Sequence, residues 1–280
     1  MNTTRPICIH LPYGGMPVTT HTTAHLLIAL TAVTLMATAV TAQLPPDTYL
    51  GISEQYPTGS PAIGPDGLVA AYDMETLTLD GQLQDFSGNQ NHGILHQTAL
   101  VPGLFGMARQ FATTDDAVDL PENPTFALDG PLSLAVWFRL DSLGLHQHLF
   151  ACDDKFTLWI TPDNSIRFAD TRGEGFESVD GLAVETWYSL VAVLSGTAGD
   201  VLTEDNIAVF LNGEPVDGEI FGQWSPGVLH AQDACYIGFE SHQGQPWHQI
   251  RPFVGMIDEL LIFSRALSLS EIDIHAGLID

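Results

Sequence analysis

From Leu132 to Leu140 every even position is apolar (Leu132, Leu134, Val136, Phe138, Leu140), while Ser133 and Arg139 fall on odd ones. A period of two marks a strand with one buried face. Phe156, Leu158 and Ile160 alternate in the same way with Thr157, Trp159 and Thr161. Pro162-Asp163-Asn164 then turns the chain toward Ile166 and Phe168. Trp187–Leu194 is apolar almost throughout, which predicts a strand buried on both faces. Ile207–Leu211 runs into Asn212-Gly213, a dipeptide that supplies the positive φ angles of a tight hairpin turn. Apolar stretches at 235–239 and 253–263 complete the set. Helical signals gather at the end, where Ser268-Leu269-Ser270-Glu271 fits a capping box with Ile272 and Leu278 placed to pack beneath it. The pattern predicts an all-β domain: a two-sheet antiparallel jelly-roll sandwich with a short C-terminal helix.

Upstream the pattern changes. Residues 26–40 are apolar and uncharged, and Val40-Thr41-Ala42 places small residues before Gln43, where a signal peptidase reads them. The run is shorter than the about 20 residues of a membrane span. It predicts a signal peptide over 1–42 and secretion to an extracellular or periplasmic location, with no stable membrane span. Arg5 is the sole strongly basic residue before the run and Met16 is an alternative start, so a signal anchor is the competing reading. Proline and glycine at Pro45-Pro46, Pro57, Gly59, Pro61 and Gly64-Pro65 make 43–66 a linker. This leaves 67–280 as one domain.

Charge adds a constraint. The chain carries 34 acidic and 8 basic residues, for a net charge of −26. Such a surface repels nucleic acid and anionic membranes and attracts cations; acidity that serves solubility alone is the competing account. Of the three cysteines, Cys8 leaves with the signal peptide. Cys152 and Cys235 then form one disulfide in an oxidising compartment or remain two buried thiols.

Several fragments in order carry a resemblance. They are Leu68-Val69-Ala70-Ala71-Tyr72-Asp73; Asp85-Phe86-Ser87-Gly88-Asn89-Gln90-Asn91-His92-Gly93; Gly106-Met107-Ala108-Arg109-Gln110-Phe111; and Asp116-Ala117-Val118-Asp119-Leu120. Phe210-Leu211-Asn212-Gly213, Ile237-Gly238 and the closing Phe253-Val254-Gly255-Met256-Ile257-Asp258-Glu259-Leu260 follow. Together they resemble the laminin-G-like jelly-roll family of the concanavalin A-like superfamily, across nearly all of residues 67–280. The resemblance implies two antiparallel sheets face to face, with ligands on a concave face or at rim loops. It implies no particular function, since such sandwiches serve as glycan-binding modules, adhesion domains and enzyme appendages.

Related sandwiches often hold a structural Ca²⁺ between an early segment and the last strand. Asp73 and Asp258 occupy such segments here, and Asp85 and Asn89 lie in the loop between them. Calcium takes six to eight oxygen ligands, and these residues supply that chemistry. The alternative is that the acids accept hydrogen bonds and that Asp85 and Asn89 shape a turn. For a sugar, Trp224 and Trp247 sit in polar segments suited to stacking, with His242 beside Trp247. Packing that anchors a loop is the competing role. Trp137, Trp159 and Trp187 lie within strands and read as core. His146 and His148 share one strand face but lack a third ligand at diagnostic spacing.

Catalysis is not expected. Glu271-Ile272-Asp273 opens like the Glu-x-Asp-x-x-Glu string of some sandwich glycosidases, but Ala276 stands where the last carboxylate belongs. No nucleophile elbow, zinc pair or phosphate loop appears. The expected function is a secreted binding or adhesion module, for a glycan, supported by calcium. An extracellular structural or protein-interaction domain and a divergent polysaccharide-active enzyme are the alternatives.

Overall fold

The alternating segments fold as strands, and the computed structural model describes residues 63–152, 155–179, 181–227, 235–240 and 251–278. In chain order the first strands are β1 (Leu68–Tyr72), β2 (Ile94–His96), β3 (Ala99–Pro102), β4 (Met107–Phe111) and β5 (Ala117–Leu120). The middle of the chain forms β6 (Leu132–Leu140), β7 (Gln147–Cys152), β8 (Phe156–Ile160), β9 (Ile166–Asp170), β10 (Gly175–Ser178) and β11 (Trp187–Leu194). Then come β12 (Ile207–Leu211), β13 (Glu214–Pro215), β14 (Gly218–Phe221), β15 (Cys235–Ile237), β16 (Gly255–Phe263) and helix α1 (Leu269–His275).

Two eight-stranded antiparallel sheets result. The first runs β13-β12-β11-β6-β16-β4-β3, with β1 paired to the Leu260–Phe263 end of β16 while β4 pairs with its Gly255–Ile257 end. The second runs β14-β10-β9-β8-β7-β15-β5-β2. Inward residues of both sheets form one core that includes Leu134, Val136, Phe138, Phe150, Leu158, Phe168, Leu190 and Ile257. The predicted hairpin at Asn212-Gly213 is present, both residues having positive φ (54° and 85°).

A second apolar cluster lies on the far side of the first sheet. There Ala71, Ala135, Val191, Val193, Phe210, Leu261 and Phe263 are covered by Ile272 of α1, Leu267 and Ile63. This explains why Trp187–Leu194 is apolar on both faces. The capping box closes as predicted, with Ser268 accepting from the Glu271 N–H and the Glu271 carboxylate accepting from the Ser268 N–H. The partners beneath the helix differ from expectation. Ile272 is buried, but Leu278 is 56% exposed and His275 takes the buried place. Polar contacts decide this: the His275 carbonyl accepts from Trp137 Nε1 at 3.0 Å, and its Nδ1 lies 2.8 Å from Ser189 Oγ. Ile63, within the segment read as linker, is likewise part of the packed domain.

Cys152 and Cys235 stand directly opposite on β7 and β15 and form a disulfide inside the core. The bond spans 83 residues, and loop-closure entropy predicts about 4 kcal/mol of stabilisation for a loop of that size. Cys152→Ala/Cys235→Ala is therefore expected to unfold at clearly lower urea concentration than the parent. Equal midpoints, with two titratable thiols in the denatured parent before any reductant is added, would show that the bond does not form.

Candidate functional site

Asp85 is the hub of the Asp-x-Ser-Gly-Asn-x-Asn-x-Gly string. Its carboxylate accepts from the N–H groups of Ala71 (3.0 Å), Ser87 (2.9 Å) and Asn91 (2.9 Å) and from the Ser87 hydroxyl (2.7 Å). Asn89 Nδ2 donates to the carbonyls of Leu68 and Val69, and Asn91 Nδ2 donates to Val69 O and Thr125 Oγ1. The string is thus a clamp that satisfies the backbone of β1 along its free edge. Asp73 accepts from the N–H groups of Glu75 and Thr76 and from the Thr76 hydroxyl. Asp258 Oδ2 accepts from Leu104 N (2.9 Å) and Phe105 N (3.0 Å), tying the last strand to the β3–β4 connection.

Asp73, Asp85 and Asp258 therefore accept from separate sets of donors, while the Asn89 side chain donates. Ca²⁺ requires converging oxygens with free lone pairs. Among the described residues no three His, Cys, Asp or Glu side chains are grouped to hold a metal. Asp258 differs in one respect: its Oδ1 is buried without a partner. Burial is the main cause that pushes its carboxyl up to about 7, Glu75 adding to the rise and the Phe105 and Leu104 N–H groups opposing it.

The sugar-platform residues separate as well. Trp224 is fully buried, tilted against Phe168 at 5.7 Å between ring centroids, so it anchors its loop and offers no open face. Trp247 and His242 lie outside the described residues. Trp137 and Trp187 are partly buried in β6 and β11, and Trp159 is not a residue of the sandwich core.

Trp159 instead belongs to the outward side of the second sheet. Phe156, Leu158 and Ile160 point into the core, so Trp159 points away from it. Register sets a row of directly paired positions across five strands: His148, Trp159, Arg167, Glu177 and Glu219. The rings of His146, His148 and Trp159 lie within 13° of parallel, at 5.1 to 5.7 Å between centroids. The Arg167 guanidinium sits 5.2 Å from the Trp159 ring centre and 4.8 Å from that of Phe221, a cation–π arrangement with both.

Ion pairs flank this stack. Arg167 lies 3.2 Å from Glu177, and Glu240 lies 3.1 Å from His148 Nε2 and 3.0 Å from Arg251. Burial, and then the charges of Arg251 and Arg167, hold the His146 imidazole down to about 4, so it is neutral at physiological pH. The stacked rings spend their faces on one another, and His146 Nε2 and both ring nitrogens of His148 are themselves buried. Trp159 and His148 are buried, whereas Arg167, Glu177 and Phe221 are partly exposed and Glu219 is open. The accessible part of the row is its β9–β10–β14 end.

A family model described as the concanavalin A-like lectin/glucanases superfamily matches residues 112–273. The chain belongs to this superfamily. No curated protein sequence matches it. Among solved structures, this concanavalin A-like chain is similar to domain 4 of AbnA, a GH43 extracellular arabinanase from Geobacillus stearothermophilus, in complex with arabinotriose. That likeness has a TM-score of 0.54 at 18% identity and covers 74% of this chain and 98% of the arabinanase domain. The binding domain of Botulinum neurotoxin DC in complex with rat synaptotagmin II gives 0.53 at 14%, over 76% of this chain and 52% of that one. Trypanosoma rangeli sialidase in complex with sialic acid gives 0.52 at 15%, over 75% and 32%. At these identities the likeness is one of fold. Among the described residues no helix is long and apolar enough to cross a membrane.

Three outcomes follow from the buried acids. Asp85→Ala leaves several buried N–H groups without an acceptor and is expected to cost about 3 kcal/mol, read as a lower urea midpoint. Added Ca²⁺ is expected to leave the parent's Tm unchanged; a rise abolished by Asp258→Ala would instead make these acids metal ligands. Asp258 has a folded-state pKa raised from 3.8 to about 7. Its contribution is fully present below about pH 4 and is lost as pH rises through about 7. Asp258→Asn should therefore raise Tm at pH 8 relative to the parent and change little at pH 4. Parallel Tm profiles for the two proteins would contradict the raised pKa.

Proposed function

We propose that this protein is an extracellular, non-catalytic carbohydrate-binding module whose ligand face is the outward side of the second sheet. The observation that carries the proposal is the asymmetry of the sandwich. Helix α1 and Ile63 close the outward side of the first sheet with apolar packing. The outward side of the second sheet carries instead the row of His148, Trp159, Arg167, Glu177 and Glu219, with Phe221 beside Arg167. At the accessible end the Phe221 ring, the Arg167 guanidinium and the Glu177 and Glu219 carboxylates match the mixture of apolar C–H faces and hydroxyls that a sugar presents. The arabinanase domain, almost entirely spanned by this chain, is itself recorded with an arabinose oligomer. The disulfide and the apolar run at 26–40 support an extracellular setting.

The non-catalytic part of the proposal rests on the acids. Glu177 is paired with Arg167, and Glu240 with Arg251 and His148, so neither is an uncommitted acid or base. Glu271, from the glycosidase-like string, is the N3 residue of α1. Its bond to Arg265 is the largest cause holding its carboxyl down to about 2, which removes it as a proton donor near neutral pH. Protein binding is the second reading, supported by the likeness to a toxin domain complexed with synaptotagmin.

A glycan array with the purified protein tests the proposal. Phe221→Ala is expected to weaken binding at least tenfold, about 1.4 kcal/mol, while Tm stays close to that of the parent. An array without signal, or binding indifferent to Phe221→Ala and Arg167→Ala alike, would move the ligand site off this face.

A further inference from the structure

Granted the carbohydrate-binding reading above, the charges on the face define which glycans it accepts. We propose that it takes uncharged glycans and rejects acidic ones. The chain has few cations, and those serving this sheet are already committed. Arg167 is flanked by Trp159 and Phe221, lies 3.2 Å from Glu177 and donates to the Gly173 carbonyl at 2.6 Å. Arg251 donates to Glu240 at 3.0 Å, and Arg172 to Glu174 at 3.0 Å. His146 is neutral at physiological pH for the reasons given above.

What remains in the row is negative. Glu177 and Glu219 stand directly opposite each other on β10 and β14, with one arginine between the pair of them and the core of the row. Like charges at directly paired positions oppose strand pairing. Glu219 stands open at the accessible end. Neighbouring strands lie about 4.8 Å apart, so Arg167 and Glu219 are separated by about 10 Å. A ligand carboxylate between them lies within the Debye length of about 8 Å of both acids, so their charges act on it with incomplete screening. A neutral polyol meets the same two carboxylates as a hydroxyl donor and completes their hydrogen bonds. An acidic glycan brings a third carboxylate and finds no unpaired guanidinium to receive it.

Affinity electrophoresis of the full protein against paired polysaccharides tests this. The neutral members are arabinan, galactan, mannan and fully methyl-esterified polygalacturonate; the acidic members are polygalacturonate, alginate and hyaluronate. Neutral binding is expected, with little dependence on salt. Acidic members should bind at least tenfold more weakly, most clearly at low salt. In Glu177→Gln/Glu219→Gln, with Tm checked against the parent, binding of acidic members should rise at least tenfold while neutral binding falls or holds. Acidic members that bind as well as neutral ones, and lose affinity as salt rises, would overturn the charge assignment while leaving carbohydrate binding in place. Binding to neither group would remove the carbohydrate reading itself.

Discussion

A two-sheet sandwich has four faces, and only two of them meet. The other two must be covered by protein or left to water, and here they are treated differently. The first sheet is apolar on both sides, and α1, Leu267 and Ile63 close its outer surface. That closure depends on polar contacts as much as on burial: Trp137 Nε1 reaches the His275 carbonyl, and Ser189 lies against the His275 ring. A neutral His275 suits this place, because burial lowers its pKa to about 3. Once the first sheet is closed on both sides, the second sheet's outward face is where functional chemistry can be displayed.

The acids of this anionic chain divide along the same line. Buried ones build the scaffold. Asp85 gathers four donors at the edge of β1, and Asp258 draws the β3–β4 connection to the last strand through two N–H groups. A buried carboxylate with this many donors satisfies backbone groups that lie beyond the reach of the sheet ladder. Glu177 and Glu240 at the second sheet pair instead with arginine and histidine, so the stack of His146, His148, Trp159 and Arg167 is held from both ends. Function, on this account, is written in the few cations and in what neutralises them.

Much of the fold is legible in the chain. The period-two segments became β6 and β8, the continuous apolar run became β11, Asn212-Gly213 became the hairpin turn, and Ser268 and Glu271 became the capping box. The family resemblance, too, rests on short-range features: turns, caps and alternation depend on residues close in sequence, so local physics suffices to place them. Even the outward position of Trp159 is written in its alternation with Phe156, Leu158 and Ile160, although its size and its place in a strand suggest the core.

Tertiary structure decided the rest, because it depends on residues far apart in the chain. Whether Trp224 faces water or Phe168, and whether Asp73, Asp85 and Asp258 converge on an ion or serve separate donors, is set by what packs against each one. The same holds for the row from His148 to Glu219. Its five members come from five strands, and only the register of the folded sheet sets them side by side. Sequence alone determined the long central strands, the hairpin and the helix cap, because their alternation, turn and capping residues act over short range. Packing determined which face α1 covered and which polar groups met on the other, because both depend on residues far apart in the chain.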